Sequence, residues 1–218
     1  VKLVFDKDSF FEMTKFFGKG IITGFARING FPVAIFANDS NFYAGSMSAE
    51  GAQKTSRFIR LCDTFRIPIV SLVDEPGFLI GPDAERAGTI LHGTEAVLAT
   101  TESKVPWTTI MIRKSFGVAA AAHYGPDGYV LAWPSAESGP LPLEGGVAVA
   151  FKKEIASAKN PEAKRKELEE KMAKNQSPFP RAEAFSVHEI IDPRETRKYI
   201  ALWAERIQSQ LKASLMNR

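Results

Sequence analysis

The residues of this sequence that are best placed to do chemistry are glycines at the ends of predicted strands. Residues 74–78 (DEPGF) follow one buried strand, residues 113–120 (RKSFGVAA) follow another and lead into a helix, and residues 144–146 (EGG) begin a third helix. Ligands of α/β sheets bind at the carboxyl ends of strands, where the N–H groups of a helix N-terminus carry partial positive charge. Two such groups directed at one oxygen would form an oxyanion hole, although glycines alone are more typical of ordinary turns.

The side chains usually found in catalytic sites form no recognisable arrangement. The sequence has no Gly-x-Ser-x-Gly elbow, phosphate-binding loop, dinucleotide fingerprint or Cys-x-x-Cys pair. Its three histidines are scattered, so we expect no bound metal. Cys62 lies on the apolar side of a predicted helix, which favours a small core residue over a nucleophile. Asp74 and Glu75 would point to opposite faces of an extended strand, which makes them a poor acid–base pair.

Length and composition indicate one globular domain. The chain has 218 residues, 44% of them hydrophobic and 24% charged. A net charge of +3 is compatible with an anionic ligand but too small to suggest nucleic acid. No apolar run approaches the ~18 residues of a membrane span. A single cysteine favours a reducing compartment, so we expect a cytoplasmic protein, with the mitochondrial matrix or a plastid as alternatives. The first residue is Val1 rather than Met, as in a segment of a longer protein.

Strands and helices alternate along the predicted core, which covers about residues 20–151. Apolar runs at 21–28 and 31–37 flank Asn29-Gly30, which predicts a β-hairpin. A helix is predicted to residue 65, with Ser46 or Ser48 as its N-cap. The remaining core elements are strands at 67–73, 108–112 and 129–133 and helices at 84–101, 118–124 and 146–151. This order predicts an α/β fold with a largely parallel sheet.

Two further segments follow the core. Residues 152–175 are rich in Lys, Glu and Ala, which predicts a solvated helical segment broken near Asn160-Pro161. A turn at residues 177–180 comes next, and a terminal helix is predicted over about residues 196–215. We expect a single domain over residues 1–218, because the sequence contains no repeat and no long linker.

The order of the short motifs carries more information than any one of them. Together they resemble the carboxyltransferase (β) subunit of biotin-dependent acyl-CoA carboxylases, of the propionyl-CoA and acetyl-CoA carboxylase type. The resemblance extends in collinear order over about residues 20–200. The motifs are residues 23–33 (TGFARINGFPV), 54–68 (KTSRFIRLCDTFRIP), 73–78 (VDEPGF), 92–93 (HG), 105–106 (VP), 113–117 (RKSFG), 132–137 (AWPSAE) and 178–180 (PFP).

The resemblance implies a crotonase-like fold, a spiral of ββα units, and a chain that looks like the C-terminal domain alone. In that family the active site forms between the N-terminal domain of one subunit and the C-terminal domain of another, within a hexamer. The implied partners are an N-terminal domain or subunit, a biotin carboxyl carrier protein and biotin carboxylase. Biotin arrives on its carrier, acyl-CoA is the substrate, and CO2 moves from biotin to the α-carbon of the acyl group.

The resemblance also assigns site residues. Gly117, Val118, Ala119 and Ala120 match the biotin-binding segment, and the N–H groups of Val118 and Ala119 match the donors to the biotin ureido oxygen. The remaining pocket residues implied by the resemblance are Pro76, Gly77, Phe78, Ala121, Gly145 and Gly146.

Several positions depart from the family pattern. Val118 stands where a glycine is usual, Ala120 and Ala121 replace an aromatic and a polar residue, and Glu75 replaces an apolar residue. Two alternatives to a carboxylating enzyme therefore stay open. One is the related biotin-dependent decarboxylase, which would have a membrane partner, and the other is a non-catalytic copy that serves assembly.

Overall fold

One mixed sheet organises the protein. The computed structural model describes residues 1–216, except for the side chains of residues 144, 145, 149 and 213–216. The sheet has the strand order β1-β2-β3-β4-β5-β6-β8, with β7 paired to β5. Pairing is antiparallel from β1 to β3 and parallel in every later pair, as the alternating elements predicted. The strands are β1 (Phe11–Met13), β2 (Ile21–Ile28), β3 (Phe31–Asn38), β4 (Ile69–Glu75), β5 (Trp107–Phe116), β6 (Tyr129–Ala132), β7 (Glu137–Gly139) and β8 (Glu189–Ile190).

Helices cover both faces of this sheet. Consecutive strand residues such as Ile69 and Val70 enter different hydrophobic clusters, one with helices α1 and α3 and the other with α9. A sheet buried on both faces explains the nearly continuous apolar runs of its strands. The helices are α1 (Ala49–Phe65), α2 (Pro82–Arg86), α3 (Thr89–Thr101), α4 (Gly117–Ala121), α5 (Leu143–Ala150), α6 (Lys152–Ser157), α7 (Pro161–Gln176), α8 (Pro178–Glu183), α9 (Thr196–Arg206) and α10 (Gln208–Met216). No helix among residues 1–216 is both long and apolar enough to span a membrane.

Local signals in the sequence predicted several boundaries correctly. Asn29 and Gly30 adopt positive φ values of 50° and 83° in the turn of the β2–β3 hairpin. Ser48 is the N-cap of α1, and its Oγ accepts a hydrogen bond of 3.1 Å from the N–H of Gly51. Asn160 caps α7 in the same way through the N–H of Ala163, which confirms the break in the charged segment.

Other boundaries differ from the predictions for identifiable reasons. The helix predicted over 84–101 is two helices, because Gly88 between them adopts a left-handed conformation with φ 74°. The strand predicted over 67–73 begins at Ile69 and continues to Glu75, and β5 continues to Phe116. The terminal helix is divided at Ile207 into α9 and α10. Strands β1, β7 and β8 and helix α8 were not predicted, since none exceeds six residues.

Candidate active site

The junction of β5 and α4 places backbone N–H groups at the carboxyl end of the sheet. Phe116 ends β5 in an extended conformation, and Gly117 turns the chain with φ 65°, a value that favours glycine. The first N–H groups of α4 have no acceptor within the helix. Val118 is 66% exposed, whereas Ala119 is fully buried. Val118 adopts no positive φ, so the valine at this position is not strained.

A cavity of about 330 Å³ lies beside this junction. We name it the Arg181 cavity. It is lined by residues of β5, α4, β7 and α8 and of the segment that follows α8. Its polar side chains are Ser115, Tyr124, Ser138, Arg181 and Ser186, and the rest of its lining consists of Met111, Gly117, Ala120, Ala121, Gly139 and Val187.

Two buried polar atoms of the Arg181 cavity have no hydrogen-bond partner in the part of the chain that the structure describes. They are Oγ of Ser138 and Nε of Arg181. The hydroxyl groups of Ser115 and Tyr124 instead bond to each other at 2.6 Å. Burial raises the pKa of Tyr124, while the hydrogen bond between Tyr124 and Ser115 and the nearby charge of Arg181 act in the opposite direction. Tyr124 is therefore a neutral hydroxyl at ordinary pH.

Helix α8 and the turn after it hold Arg181 in place. Ser177 caps α8, and Pro178 occupies its first turn. The carbonyl of Arg181 accepts hydrogen bonds from the N–H and the Oγ of Ser186, at 2.9 and 3.0 Å. The sequence predicts a turn at residues 177–180, and Arg181 is not among the predicted site residues. The serine followed by proline was the available signal for a helix start.

A second polar group, the Glu75 cluster, occupies the end of the neighbouring strand β4. We define it as Glu75, Asn38, His123 and Ser71. The Glu75 side chain is fully buried, and its Oε1 accepts hydrogen bonds from the N–H groups of Met47 and Gly77, at 3.2 and 3.0 Å. Its Oε2 accepts from Nδ2 of Asn38 at 3.0 Å. Both carboxylate oxygens are therefore bonded to the protein itself.

His123 completes the Glu75 cluster. Its Nδ1 and Oγ of Ser71 form a hydrogen bond of 2.9 Å, and its ring stacks on Phe36 with centroids 4.1 Å apart. Nε2 of His123 lies 3.8 Å from Oε2 of Glu75, which is beyond hydrogen-bond distance. Both side chains are fully inaccessible to solvent, so the cluster supports the fold rather than contacting a ligand.

Asp74 and Glu75 point to opposite sides of β4, as the alternation of an extended strand predicted. Asp74 forms a bidentate ion pair with Arg113, with distances of 3.0 and 2.9 Å. Cys62 is fully buried in the second hydrophobic cluster, and burial raises the pKa of its thiol. Among the described residues, no group of three His, Cys, Asp or Glu side chains could hold a metal ion.

The structure brings only some of the residues predicted for the site to the Arg181 cavity, and Val118 and Ala119 are outside its lining. Gly117, Ala120 and Ala121 line the Arg181 cavity. Pro76, Gly77 and Phe78 follow β4 and are outside the lining of that cavity. The Phe78 ring packs against Gly93 so closely that a side chain there would collide with it. In α5, Gly146 is buried beside Leu141. The surroundings of Gly145 lie outside what the structure describes.

Proteins that are similar to this chain identify its family. The family model for the carboxyl transferase domain matches residues 1–217. The chain belongs to the carboxyl transferase domain family. A propionyl-CoA carboxylase carboxyltransferase subunit from Haloferax mediterranei is 38% identical over 215 residues, which are 96% of this chain and 42% of the relative. The alpha subunit of methylmalonyl-CoA decarboxylase from Propionigenium modestum is 38% identical over 90% of this chain and 39% of the relative.

Among solved structures, this carboxyl transferase domain is similar to transcarboxylase 12S. The TM-score is 0.89 at 36% identity, and the match covers 95% of this chain and 41% of that one. That protein was solved as a hexamer with methylmalonyl-coenzyme A and methylmalonic acid bound. The match confirms the predicted crotonase-like α/β fold. This chain spans about two fifths of the length of these relatives.

Proposed function

We propose that this chain is the biotin-facing part of an acyl-CoA carboxyltransferase and forms the C-terminal domain of a two-domain subunit. The observation that carries the proposal is the β5–α4 junction, where Gly117 turns the chain and the N–H groups of α4 begin beside a cavity. The family match over residues 1–217 supports the same assignment. The lack of a side-chain nucleophile is consistent with it, because carboxyl transfer of this kind depends on stabilising an oxyanion.

The junction suits a neutral carbonyl group such as the ureido oxygen of biotin. The N–H groups of Val118 and Ala119 would donate to that oxygen, with Gly117 and Ala120 against the ring. The Val118 side chain is exposed and is not part of the cavity lining, so the valine leaves the cavity open. When bound, biotin on its carrier protein supplies the nitrogen that holds the carboxyl group destined for the α-carbon of acyl-CoA.

The proposed site extends beyond this junction and requires partners. The small side chain of Ala121 lines the cavity. We propose that the other predicted pocket residues form the outer walls of the site, namely Pro76, Gly77, Phe78, Gly145 and Gly146. An N-terminal domain or subunit would supply most of the acyl-CoA site, within a hexamer-type homo- or hetero-oligomer. A biotin carboxyl carrier protein and biotin carboxylase would deliver the carboxyl group. We place the assembly in the cytoplasm, or in the matrix or plastid of a eukaryotic cell.

A second candidate is the decarboxylase direction, in which biotin accepts the carboxyl group from a carboxylated acyl-CoA. It is favoured by the Propionigenium modestum relative, whose identity to this chain equals that of the carboxylase relative. The same junction would serve both directions, because the oxyanion is the same. Measuring initial rates from each side in the assembled complex separates them.

The test is carboxyl transfer in a complex of this chain with its N-terminal partner, biotin carboxylase and the biotinylated carrier. Incorporation of labelled bicarbonate into acyl-CoA is expected to require the chain. Val118→Pro removes one N–H donor and is expected to lower kcat by about 10²–10³-fold.

The matched control is Val118→Ala, which keeps the N–H group and is expected to keep the rate. Thermal unfolding of both variants verifies that the proline has not unfolded the domain. If correctly folded Val118→Pro transferred carboxyl groups at the original rate, the N–H of Val118 would have no part in the reaction. If transfer never required the chain, the non-catalytic alternative would be correct.

A further inference from the structure

The Arg181 cavity contains hydrogen-bond donors that the protein leaves unused. Oγ of Ser138 has no partner although the residue is only 4% exposed, and Nε of Arg181 is likewise buried without one. Buried polar groups in native proteins are almost always hydrogen-bonded, and leaving one unbonded costs free energy. Both atoms belong to residues that line the same cavity, and this shared position points to a ligand as their partner.

The Ser115 and Tyr124 hydroxyl groups add a third donor. Their mutual hydrogen bond of 2.6 Å uses one of the two hydroxyl hydrogens and leaves the other for a further acceptor. Since burial keeps Tyr124 protonated, this hydrogen persists at neutral pH. The hydroxyl of Ser186 is already directed to the carbonyl of Arg181.

The charge and the walls of the cavity define the ligand further. Arg181 is the single Lys or Arg residue in the lining, and the lining includes no Asp or Glu. Met111 and Val187 are buried apolar walls, and Ala120 and Ala121 leave volume beside them. One guanidinium, neutral donors and apolar walls match a singly charged carboxylate on a short carbon chain better than a doubly charged phosphate.

We propose that the Arg181 cavity is a subsite for the carboxylate of a short-chain ligand, bound by the guanidinium of Arg181 and the hydroxyl of Ser138. The inference rests on the proposed function where it names a source for that carboxylate. Because the cavity adjoins Gly117 and Ala120, the carboxylate would belong to an acyl group that enters the same site. A free short-chain acid offers the same chemistry, and the experiment separates the two sources.

The first experiment titrates the 218-residue chain with sodium propanoate and sodium succinate while recording ¹H–¹⁵N NMR spectra. Saturable shifts are expected at the amides of Ala120, Ser138 and Gly139. Propanamide and succinamide, which lack the charge, are expected to cause none. Inorganic phosphate is expected to bind more weakly than either acid. Absence of shifts with both acids, equal shifts with the amides, or tighter binding of phosphate would overturn the proposal.

A comparison of succinyl-CoA with butyryl-CoA shows whether the bound carboxylate belongs to an acyl group or to a free acid. Butyryl-CoA has a methyl group in place of the carboxylate. If the acyl group carries the carboxylate, succinyl-CoA is expected to shift the three amides at lower concentration than succinate does, and butyryl-CoA is expected to leave them unchanged. If succinate alone shifts them, the subsite serves a free acid. Equal shifts with both thioesters would contradict the role of the carboxylate.

Substitutions test the two named residues. Arg181→Met is expected to raise the Kd for succinate about tenfold or more, and Ser138→Ala to raise it a few fold. Arg181→Lys keeps the charge and is expected to recover part of the affinity. Arg60→Met on the exposed side of α1 removes an equal charge and is expected to leave Kd unchanged. A folded Arg181→Met variant with unaltered Kd would refute the proposal.

The failure of this proposal can be distinguished from failure of the proposed function. Carboxylate binding by the chain requires neither biotin nor turnover, whereas carboxyl transfer requires the whole complex. A chain that supports transfer without binding succinate or succinyl-CoA would keep the function and lose the subsite. A chain that binds succinate or succinyl-CoA without supporting transfer would keep the subsite and lose the proposed function.

Discussion

The ends of β4 and β5 lie side by side, but their buried polar groups differ in how completely they are hydrogen-bonded and in the space beside them. At the end of β4, both carboxylate oxygens of Glu75 accept hydrogen bonds from the protein, and the one atom of the cluster without a partner, Nε2 of His123, is closed off from solvent. Beside the end of β5, Ser138 and Arg181 have buried atoms without partners next to open volume. The comparison separates a polar group that builds the fold from one that is left for a ligand.

The two regions share one row of residues across the sheet. Glu75 pairs with Ser115 on β5, and Ser115 pairs with Ser138 on β7. Residues in register on parallel neighbours point to the same face. A bulge separates the ends of the strands, because Val73 pairs with Met111 while Glu75 pairs with Ser115. Bulges redirect side chains near functional sites, and this one occurs where the bonded cluster gives way to the cavity.

The largest expected effect comes from removing the bonded carboxylate. Glu75→Ala would leave the N–H of Gly77 and one of the two Nδ2 hydrogens of Asn38 without an acceptor. The N–H of Met47 would keep only its hydrogen bond to the carbonyl of Gly77, and Nδ2 of Asn38 only that to the carbonyl of Gly45. Since each such group costs about 1–3 kcal/mol, we expect the free energy of unfolding to fall by about 3–5 kcal/mol. Urea denaturation followed by circular dichroism at pH 7 measures the change.

Glu75→Gln is the matched control for this prediction. The amide oxygen can keep the two backbone hydrogen bonds, while its NH2 group opposes Nδ2 of Asn38, so the loss is expected to be about 1–3 kcal/mol. If Glu75→Ala were as stable as the original chain, the Glu75 cluster would have no structural role. The distinction between this cluster and the Arg181 cavity would then be wrong.

Local chemistry in the sequence was enough to predict much of the fold. The Asn29-Gly30 turn and the Ser48 cap depend on neighbouring residues, and both were found where expected. The end of β4 was placed too early because Asp74 and Glu75 read as turn residues. In the structure Glu75 remains in the strand, since its carboxylate accepts hydrogen bonds from the N–H of Met47, which is distant in the sequence, and from that of the nearby Gly77.

The candidate site was predictable only in part for the same reason. The glycine turn after β5 is a local feature, and the resemblance of this segment to the carboxyltransferase motif predicted Gly117, Ala120 and Ala121. Ser138 and Arg181 come together through the pairing of β7 with β5 and the packing of α8, both of which are short elements without a periodic pattern. A partner that is absent, as at Oγ of Ser138, is a property of three-dimensional surroundings and has no local signal.

A smaller effect is expected on the cavity side of the comparison. Ser138→Ala removes a buried hydroxyl that has no partner, so the protein loses no hydrogen bond. We expect the free energy of unfolding to stay unchanged or to rise by up to about 1 kcal/mol. The same urea denaturation, run beside Glu75→Ala, provides the measurement. A loss as large as that of Glu75→Ala would mean that Ser138 is bonded within the fold and does not await a ligand.

The smallest expected effect is a shift in the titration of Tyr124, which reports the position of Arg181. Burial raises the pKa of Tyr124 above its ordinary value of 10, and the Arg181 charge opposes that rise, so Arg181→Met should raise the pKa further. Because the folded state then favours the neutral phenol, Tyr124 contributes stability that is present below pH 10 and is lost as pH increases from 10 through the folded pKa. In Arg181→Met the loss of stability should extend to higher pH.

A ¹³Cζ NMR titration of the tyrosines measures the pKa of Tyr124 directly, with Arg60→Met as the control for a general loss of charge. If the pKa of Tyr124 were the same in Arg181→Met, the guanidinium of Arg181 would not lie near the phenol. It would then not supply the positive charge that the proposed subsite requires.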